Sequence, residues 1–288
     1  QKSTLDFPDD IRRVRREHFS SNSGLVTMQM AGRGPSFGTM ETVARDLSIA
    51  RELGIKITIH EGGGEGILAM HEAKLTGPDI TYVHLQSAKE DALKVVKDTG
   101  GNVSISVLNE EWKTPWRGSA GATVRLLRQG IVPSLSVDTE TVVPGDMFSS
   151  MRGTLQSARY SASNDPAIPA PAKPFEWNPA SVVPMKKIFE MATIGGAKSL
   201  GIDQITGSLE IGKSADIIAI DINRPHMIPI HDVFAQLIFA AGRDDVSDVW
   251  VDGEQLIEDR NSTRIEFSNL KQEVAEKIDR KSTRLNSS

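Results

Sequence analysis

The chain has no cysteine, which excludes a disulfide framework, a redox thiol and any cysteine-ligated metal. A metal ion would have to be held by His and Asp side chains, and the chain has only six histidines. Long apolar runs are also missing: no stretch approaches the length of a membrane-crossing helix. The opening QKSTLDFPDDIRRVRREHF has no apolar segment of the kind a secretory signal needs, which favours a cytoplasmic protein. There is no initiator methionine, which suggests a processed product or a fragment. Lysine and arginine are scattered and the formal net charge is -5, so neither nucleic acid nor membrane is an expected partner. No Walker or dinucleotide fingerprint falls at a strand-to-helix junction, because GGGEG lacks the required spacing.

The 288 residues of the chain can build one large α/β domain, or one domain with a smaller companion. Leu25 to Met30 is expected as a short strand, followed by the turn-rich AGRGPSFG. Apolar residues then recur at helical spacing from Thr39 to Leu53, and Gly54 stands where a glycine ends a helix. The alternation continues with strands at Ile55 to Ile59, Ile80 to Val83, Val103 to Val107 and Ile131 to Val137. Helices at Gly66 to Leu75, Ala88 to Lys97 and Gly118 to Arg128 separate them. Such a series implies a parallel, helix-covered sheet, with the barrel one of two closures.

Beyond it, Ser157 to Pro179 has the composition of an irregular crossing loop. A helix follows from Met185 to Met191, and Gly195 and Gly196 are expected to separate it from a shorter helical turn through Leu200. From Thr206 the pattern changes to glycine turns between short strands, with Ile217 to Ile220 the most apolar. A hairpin is expected around Asp252 and Gly253, and a helix from His231 to Ala241 lies between these parts.

Three strand-like runs end in groups able to do acid-base or metal chemistry: KITIH at His60, ITYVH at His84 and PSLSVD at Asp138. A neutral imidazole can ligate zinc or hold a water or a substrate carbonyl. A carboxylate at a strand mouth can ligate a cation and accept a proton from water; it can also cap a helix. Glu61 and Glu65 flank three glycines after His60, and the glycines obscure which of them points inward. Arg33, between Gly32 and Gly34, could orient an anionic or carbonyl-bearing substrate. Trp112 and Trp116 could wall a ring pocket or simply pack on the rim. His18, His71, His226 and His231 lack the strand-end context.

Taken together, ITIH, YVH, SLSVDTETVVPGDMFSSMR, ATIGGAKSLGI and GSLEIGKSADIIAID resemble the metal-dependent amidohydrolase superfamily, in its chlorohydrolase and cytosine-deaminase-like branch. The resemblance spans about Leu25 to Glu258 and implies a distorted (β/α)8 TIM barrel joined to a small β-sandwich. Residues 1–205 would be the C-terminal strands of the barrel and 206–268 a sandwich portion, with 228–241 free to return to the barrel. Residues 269–288 would be a terminal helix and an artefactual tail. By the resemblance, His60 is a metal ligand, His84 contacts substrate or water or binds metal, and Asp138 binds metal and takes a proton from water. Zinc, or alternatively Fe(II), is the implied cofactor. A carbon–nitrogen bond outside peptides, in a cyclic or heteroaromatic small molecule, is the implied target, and homo-oligomers are implied as well.

Two departures accompany the resemblance. Gly63 stands where many ring deaminases have a proton-shuttling glutamate, and the family's two-histidine pair from the first barrel strand is absent. The alternative to an enzyme is therefore a non-catalytic barrel remnant or binding module.

Overall fold

A computed structural model of the chain describes residues 6–110, 121–163 and 183–285. After an opening helix α1 (Asp9–His18), five short strands form one parallel sheet: β1 (Met30–Gly32), β2 (Ile57–Glu61), β3 (Ile80–His84), β4 (Asn102–Ile105) and β5 (Ser134–Leu135). Each strand pairs with its neighbour in sequence, in the order β1-β2-β3-β4-β5. A doubly wound sheet reverses its strand order at a switch point, whereas this one advances without reversal, as a barrel does. The ladder pairs Met30 with Ile57, Ile57 with Ile80, Tyr82 with Val103, and Ile105 with Leu135.

Parallel strands need crossover connections, and the helices that make them cover one face. These are α2 (Met40–Glu52), α3 (Glu65–Glu72), α4 (Glu90–Asp98) and α6 (Ala122–Arg128). Every second strand residue points at them, so Ile57, Ile59, Ile80, Tyr82, Val103 and Ile105 are buried against Val43, Leu47, Ile67, Met70, Leu93, Val96 and Leu126. Thr39 caps α2 by accepting the Thr42 N–H at 3.3 Å.

The other face carries hydroxyls. Thr58, Thr81, Ser104, Ser134 and Ser136 line a cavity of about 280 Å³ together with Gln29, Val83, Ser199 and Leu200. Its floor is α9 (Ile194–Leu200), which follows α7 (Met147–Ser163) and α8 (Met185–Ala192). The last carbonyls of a helix lack partners within it, and the sheet supplies them. Thr81 Oγ1 donates to Ser199 O at 3.0 Å, Gln29 Nε2 to Leu200 O at 2.8 Å and Lys56 Nζ to Lys198 O at 3.2 Å.

A second sheet is antiparallel, in the order β6 (Ile217–Ile220), β7 (Val246–Val251), β8 (Glu254–Glu258) and β9 (Asn261–Ser262). Between β6 and β7 lies a short helix α10 (Val233–Ala235) that widens into a π turn over Gln236–Ala240. Met227, Ile238 and Ala241 are buried in the same cluster as the barrel core. Arg152 of α7 holds this segment by donating to Ile238 O at 3.1 Å and Ala241 O at 2.9 Å. A terminal helix α11 (Phe267–Leu285) continues into the tail segment. Among the described residues no helix is long and apolar enough to cross a membrane.

Several expected elements are displaced. The first strand begins at Met30 rather than ending there, because pairing starts where Ile57 provides a partner; Leu25 and Val26 are exposed. Val107 opens a one-turn helix α5 (Val107–Glu110) instead of closing a strand, and only Ser134–Leu135 of the run 131–137 is paired. Residues 157–163 are helical as the end of α7; the remainder of the expected crossing loop lies outside the described residues. The break between α8 and α9 falls at Thr193, and both glycines sit inside α9. Gly195 is buried there, where a Cβ would press on Glu190 O and Pro133 O at 3.1 and 3.2 Å. The run 208–211 forms no strand, and Leu209 and Ile211 are exposed.

Asp245 joins the π-turn segment to the second sheet. Its buried carboxylate accepts from Gly242 N at 2.9 Å and faces His226 Nε2 at 3.0 Å and Arg224 Nε at 3.3 Å. Burial alone would raise its pKa, but His226, the Gly242 N–H and Arg224 together hold it below the ordinary value. A depressed folded-state pKa adds stability above the unfolded-state pKa, and that stability is lost as pH falls through the folded-state pKa. We expect Asp245→Asn to cost about 1–3 kcal/mol at neutral pH. In urea unfolding, the gap from wild type should shrink from about pH 5 downward; a gap independent of pH would contradict the assignment.

Candidate active site

The C-terminal ends of β2 and β3 and the loop after β5 carry the three strand-end groups. In β2, Ile57, Ile59 and Glu61 are buried, while Thr58 and His60 point to the other face, and His60 is exposed at the mouth. Strand alternation would send His84 to the helix side with Ile80 and Tyr82. Positive φ at His84 (85°) and Leu85 (52°) breaks that alternation. Leu85 is fully buried, and the His84 ring lies 5.2 Å from the His60 ring, tilted by 51°. Arg125 of α6 holds the loop that follows: it donates to Gln86 O at 2.7 Å, to Leu85 O at 3.5 Å and to Ala88 O. Burial lowers the Arg125 pKa from its ordinary value, with Glu90 opposing.

Asp138 is exposed and also has a positive φ, 60°. Its backbone N–H donates to Ser136 Oγ at 3.1 Å, and one carboxylate oxygen accepts from the Asn109 side-chain amide. The next residue, Glu110, places Oε1 at 2.9 Å from His84 Nδ1. One turn of α5 therefore connects Asp138 to His84. The sequence does not single out either residue, because the strand expected to Val107 puts both beyond its end. The signal available was a pair of polar residues directly after an apolar strand.

Glu61 is turned away from the mouth. It is 4% exposed, and Oε1 accepts from Gly63 N at 3.2 Å and Gly64 N at 3.0 Å, while Ser36 Oγ donates to Oε2 at 3.2 Å. Glu61 thus shapes the glycine loop. Glu65 is exposed at the start of α3, and its Oε2 lies over Gly63, where a Cβ on that glycine would collide with it. Arg33 is exposed, and its backbone N–H donates to Asp46 Oδ2 at 3.3 Å. Phe37, which sequence reading did not single out, meets His60 edge-on with ring centres 6.4 Å apart. Trp112 and Trp116 lie outside the described residues.

His60, His84 and Asp138 offer the imidazole and carboxylate donors that zinc or Fe(II) accepts. Their type fits such an ion, but the three do not stand close enough together to form one ligand set. Among the described residues no group of three or more His, Asp or Glu stands close enough to hold one.

A sequentially wound parallel arc with imidazole and carboxylate groups beyond its C-terminal ends carries polar groups where (β/α) barrels carry their active sites. The chain belongs to the amidohydrolase family, which it matches over residues 2–256. It is 27% identical over 273 residues to a 5′-deoxyadenosine deaminase of Methanosarcina mazei, covering 90% of this chain and 58% of the relative. Over 81 residues it is 44% identical to an S-triazine hydrolase of Gordonia rubripertincta, covering 28% of this chain and 17% of that protein. Among solved structures, an adenosine deaminase from Xanthomonas campestris with bound zinc superposes with a TM-score of 0.79 at 22% identity. That match covers 95% of this chain and 62% of the other, and it is a likeness of fold. The chain thus spans less than two thirds of the length of each of these relatives.

The glycine loop makes a direct prediction. Gly64 has φ 89°, and a Cβ there would lie 2.7 Å from the Ala92 Cβ. Gly64→Ala should lose about 1–3 kcal/mol in urea unfolding, from left-handed strain and overpacking together. An unchanged midpoint would show that the loop has room to move.

Proposed function

We propose that the whole protein is a metal-dependent hydrolase that displaces an amino or chloro group from a carbon of a nitrogen-containing heteroaromatic ring, with zinc as cofactor and Fe(II) as the alternative. The observation that carries this reading is the facing pair His60 and His84 at the C-terminal ends of β2 and β3. The purine and triazine relatives support the choice of ring chemistry.

His60 and Asp138 would hold the ion, with His84 a further ligand candidate, and by the resemblance the family's two-histidine pair, absent from this sequence, would complete the set. The ion, when bound, supplies a water of lowered pKa and polarises the bond under attack. Asp138 would be the proton acceptor, through Oδ1, which Asn109 leaves untouched and to which Thr139 Oγ1 donates at 3.3 Å. His84 lies beside His60, where it can contact the water or the leaving group. Arg33, Glu65, Trp112 and Trp116 are the substrate-contact candidates, and Phe37 joins them by its position against His60.

A non-catalytic remnant is favoured by one observation, the lack of a three-ligand group among the described residues. The two readings separate experimentally. A longer gene product carrying an HxH pair at the end of an apolar strand should contain stoichiometric transition metal by elemental analysis. In that protein, Asp138→Asn should lower kcat on amino- or chloro-substituted N-heterocycles about 10²–10⁴-fold. The 288-residue chain, freed of longer species, should show little or no metal-dependent turnover. Metal-free longer protein, or ordinary turnover by the short chain, would overturn the proposal.

A further inference from the structure

Glu110 is 6% exposed, and two groups among those described meet its Oε1. The Ser106 backbone N–H donates to it at 2.7 Å, and His84 Nδ1 stands 2.9 Å away. A backbone N–H can only donate, so Oε1 is an acceptor at this position, and an ionised carboxylate is an acceptor throughout. The hydrogen between the two side chains must then sit on His84 Nδ1. A neutral imidazole with hydrogen on Nδ1 has its lone pair on Nε2.

We infer that Glu110 is a positioning residue that locks His84 in the Nδ1–H tautomer and makes Nε2 the nitrogen available at the mouth. The backbone supports the assignment. His84 leaves strand alternation through two left-handed residues, and Glu110 holds the ring in the resulting orientation. Asn109, one residue earlier on the same turn, is fixed in a similar way. Its amide nitrogen must face the accepting Asp138 carboxylate, which leaves its Oδ1 buried without a partner. A single helical turn therefore sets the facing atoms of both strand-end groups.

The inference deepens the hydrolase reading, on which its catalytic consequence rests. In that tautomer His84 presents an acceptor at Nε2, suited to an N–H of an amino leaving group, a water hydrogen or a cation. It is not a donor to an oxyanion in that state.

The tautomer can be measured without turnover. In the 288-residue chain labelled with ¹⁵N at histidine, long-range ¹H–¹⁵N correlation at about pH 8, above the ordinary histidine range, should show His84 with hydrogen on Nδ1. Glu110→Gln should keep that pattern, because an amide oxygen still accepts from both donors. Glu110→Leu should lose it, while the His60 signals report that the fold persists. Hydrogen on Nε2 in the wild-type chain would overturn the inference, and so would an unchanged Nδ1–H pattern in Glu110→Leu. If Glu110→Leu does not fold, the wild-type spectrum still decides. Separately, in the metal-loaded longer protein, Glu110→Leu should lower kcat about 10–100-fold with KM less affected. Failure of that result alone, with the tautomer as stated, would count against the hydrolase reading and leave the tautomer standing.

Discussion

The backbone ladder on both sides of β2 is the constraint on which the rest of the structure depends. Met30 to Gly32 pair with Ile57 to Ile59 on one side, and Ile57 to Glu61 pair with Ile80 to His84 on the other. A slip of one residue would exchange the two faces of the strand. It would put Thr58 and His60 into the helix layer and expose Ile57 and Ile59. The burial of these isoleucines therefore selects the register that brings His60 to the mouth. The same ladder places the starts of the strands against α9, whose terminal carbonyls are satisfied by Gln29, Lys56 and Thr81.

At the mouth the backbone is less regular. His84, Leu85 and Asp138 all have positive φ, a conformation that costs a residue with a Cβ on the order of 1–2 kcal/mol. Hydrogen bonds offset this cost locally. Arg125 holds the carbonyls that follow His84, Ser136 Oγ receives the Asp138 N–H, and α5 holds both side chains. Glycine serves where no side chain fits. At Gly64 the loop passes against Ala92, and Glu61 supplies the carboxylate that gathers its N–H groups. Among the described residues, three of the seven non-glycine positions with positive φ thus fall at the proposed site, and the other four, Lys74, Asp252, Asp259 and Arg260, lie elsewhere.

Much of the alternating fold was legible in periodicity. The helix from Met40 and the strands ending at His60 and His84 lie close to where apolar spacing puts them, because each is local and buried on one face. Legibility was poorer where a long-range partner decides. β1 moved along the chain to reach Ile57, and the run 208–211 stayed out of the second sheet despite its apolar residues. The two glycines of α9 have the composition of a break, yet close approach of Pro133 and Glu190 to Gly195 keeps them inside a helix. Asn109 and Glu110 were hidden for a similar reason, since their roles depend on β3 and the loop after β5, which are distant in sequence.

The amino-acid sequence by itself determined which groups could do chemistry, because a cysteine-free chain with few histidines leaves little choice. It also determined that those groups sit at strand ends, since the two-residue alternation and the glycine turns are local properties. Only the tertiary structure decided which of them meet. It turned His84 across the mouth onto His60, folded Glu61 back into its loop and recruited Asn109 and Glu110 to hold Asp138 and His84. The physical reason is that a side chain's direction at a strand end depends on φ at that residue, and that angle is fixed by packing and hydrogen bonds from remote parts of the chain.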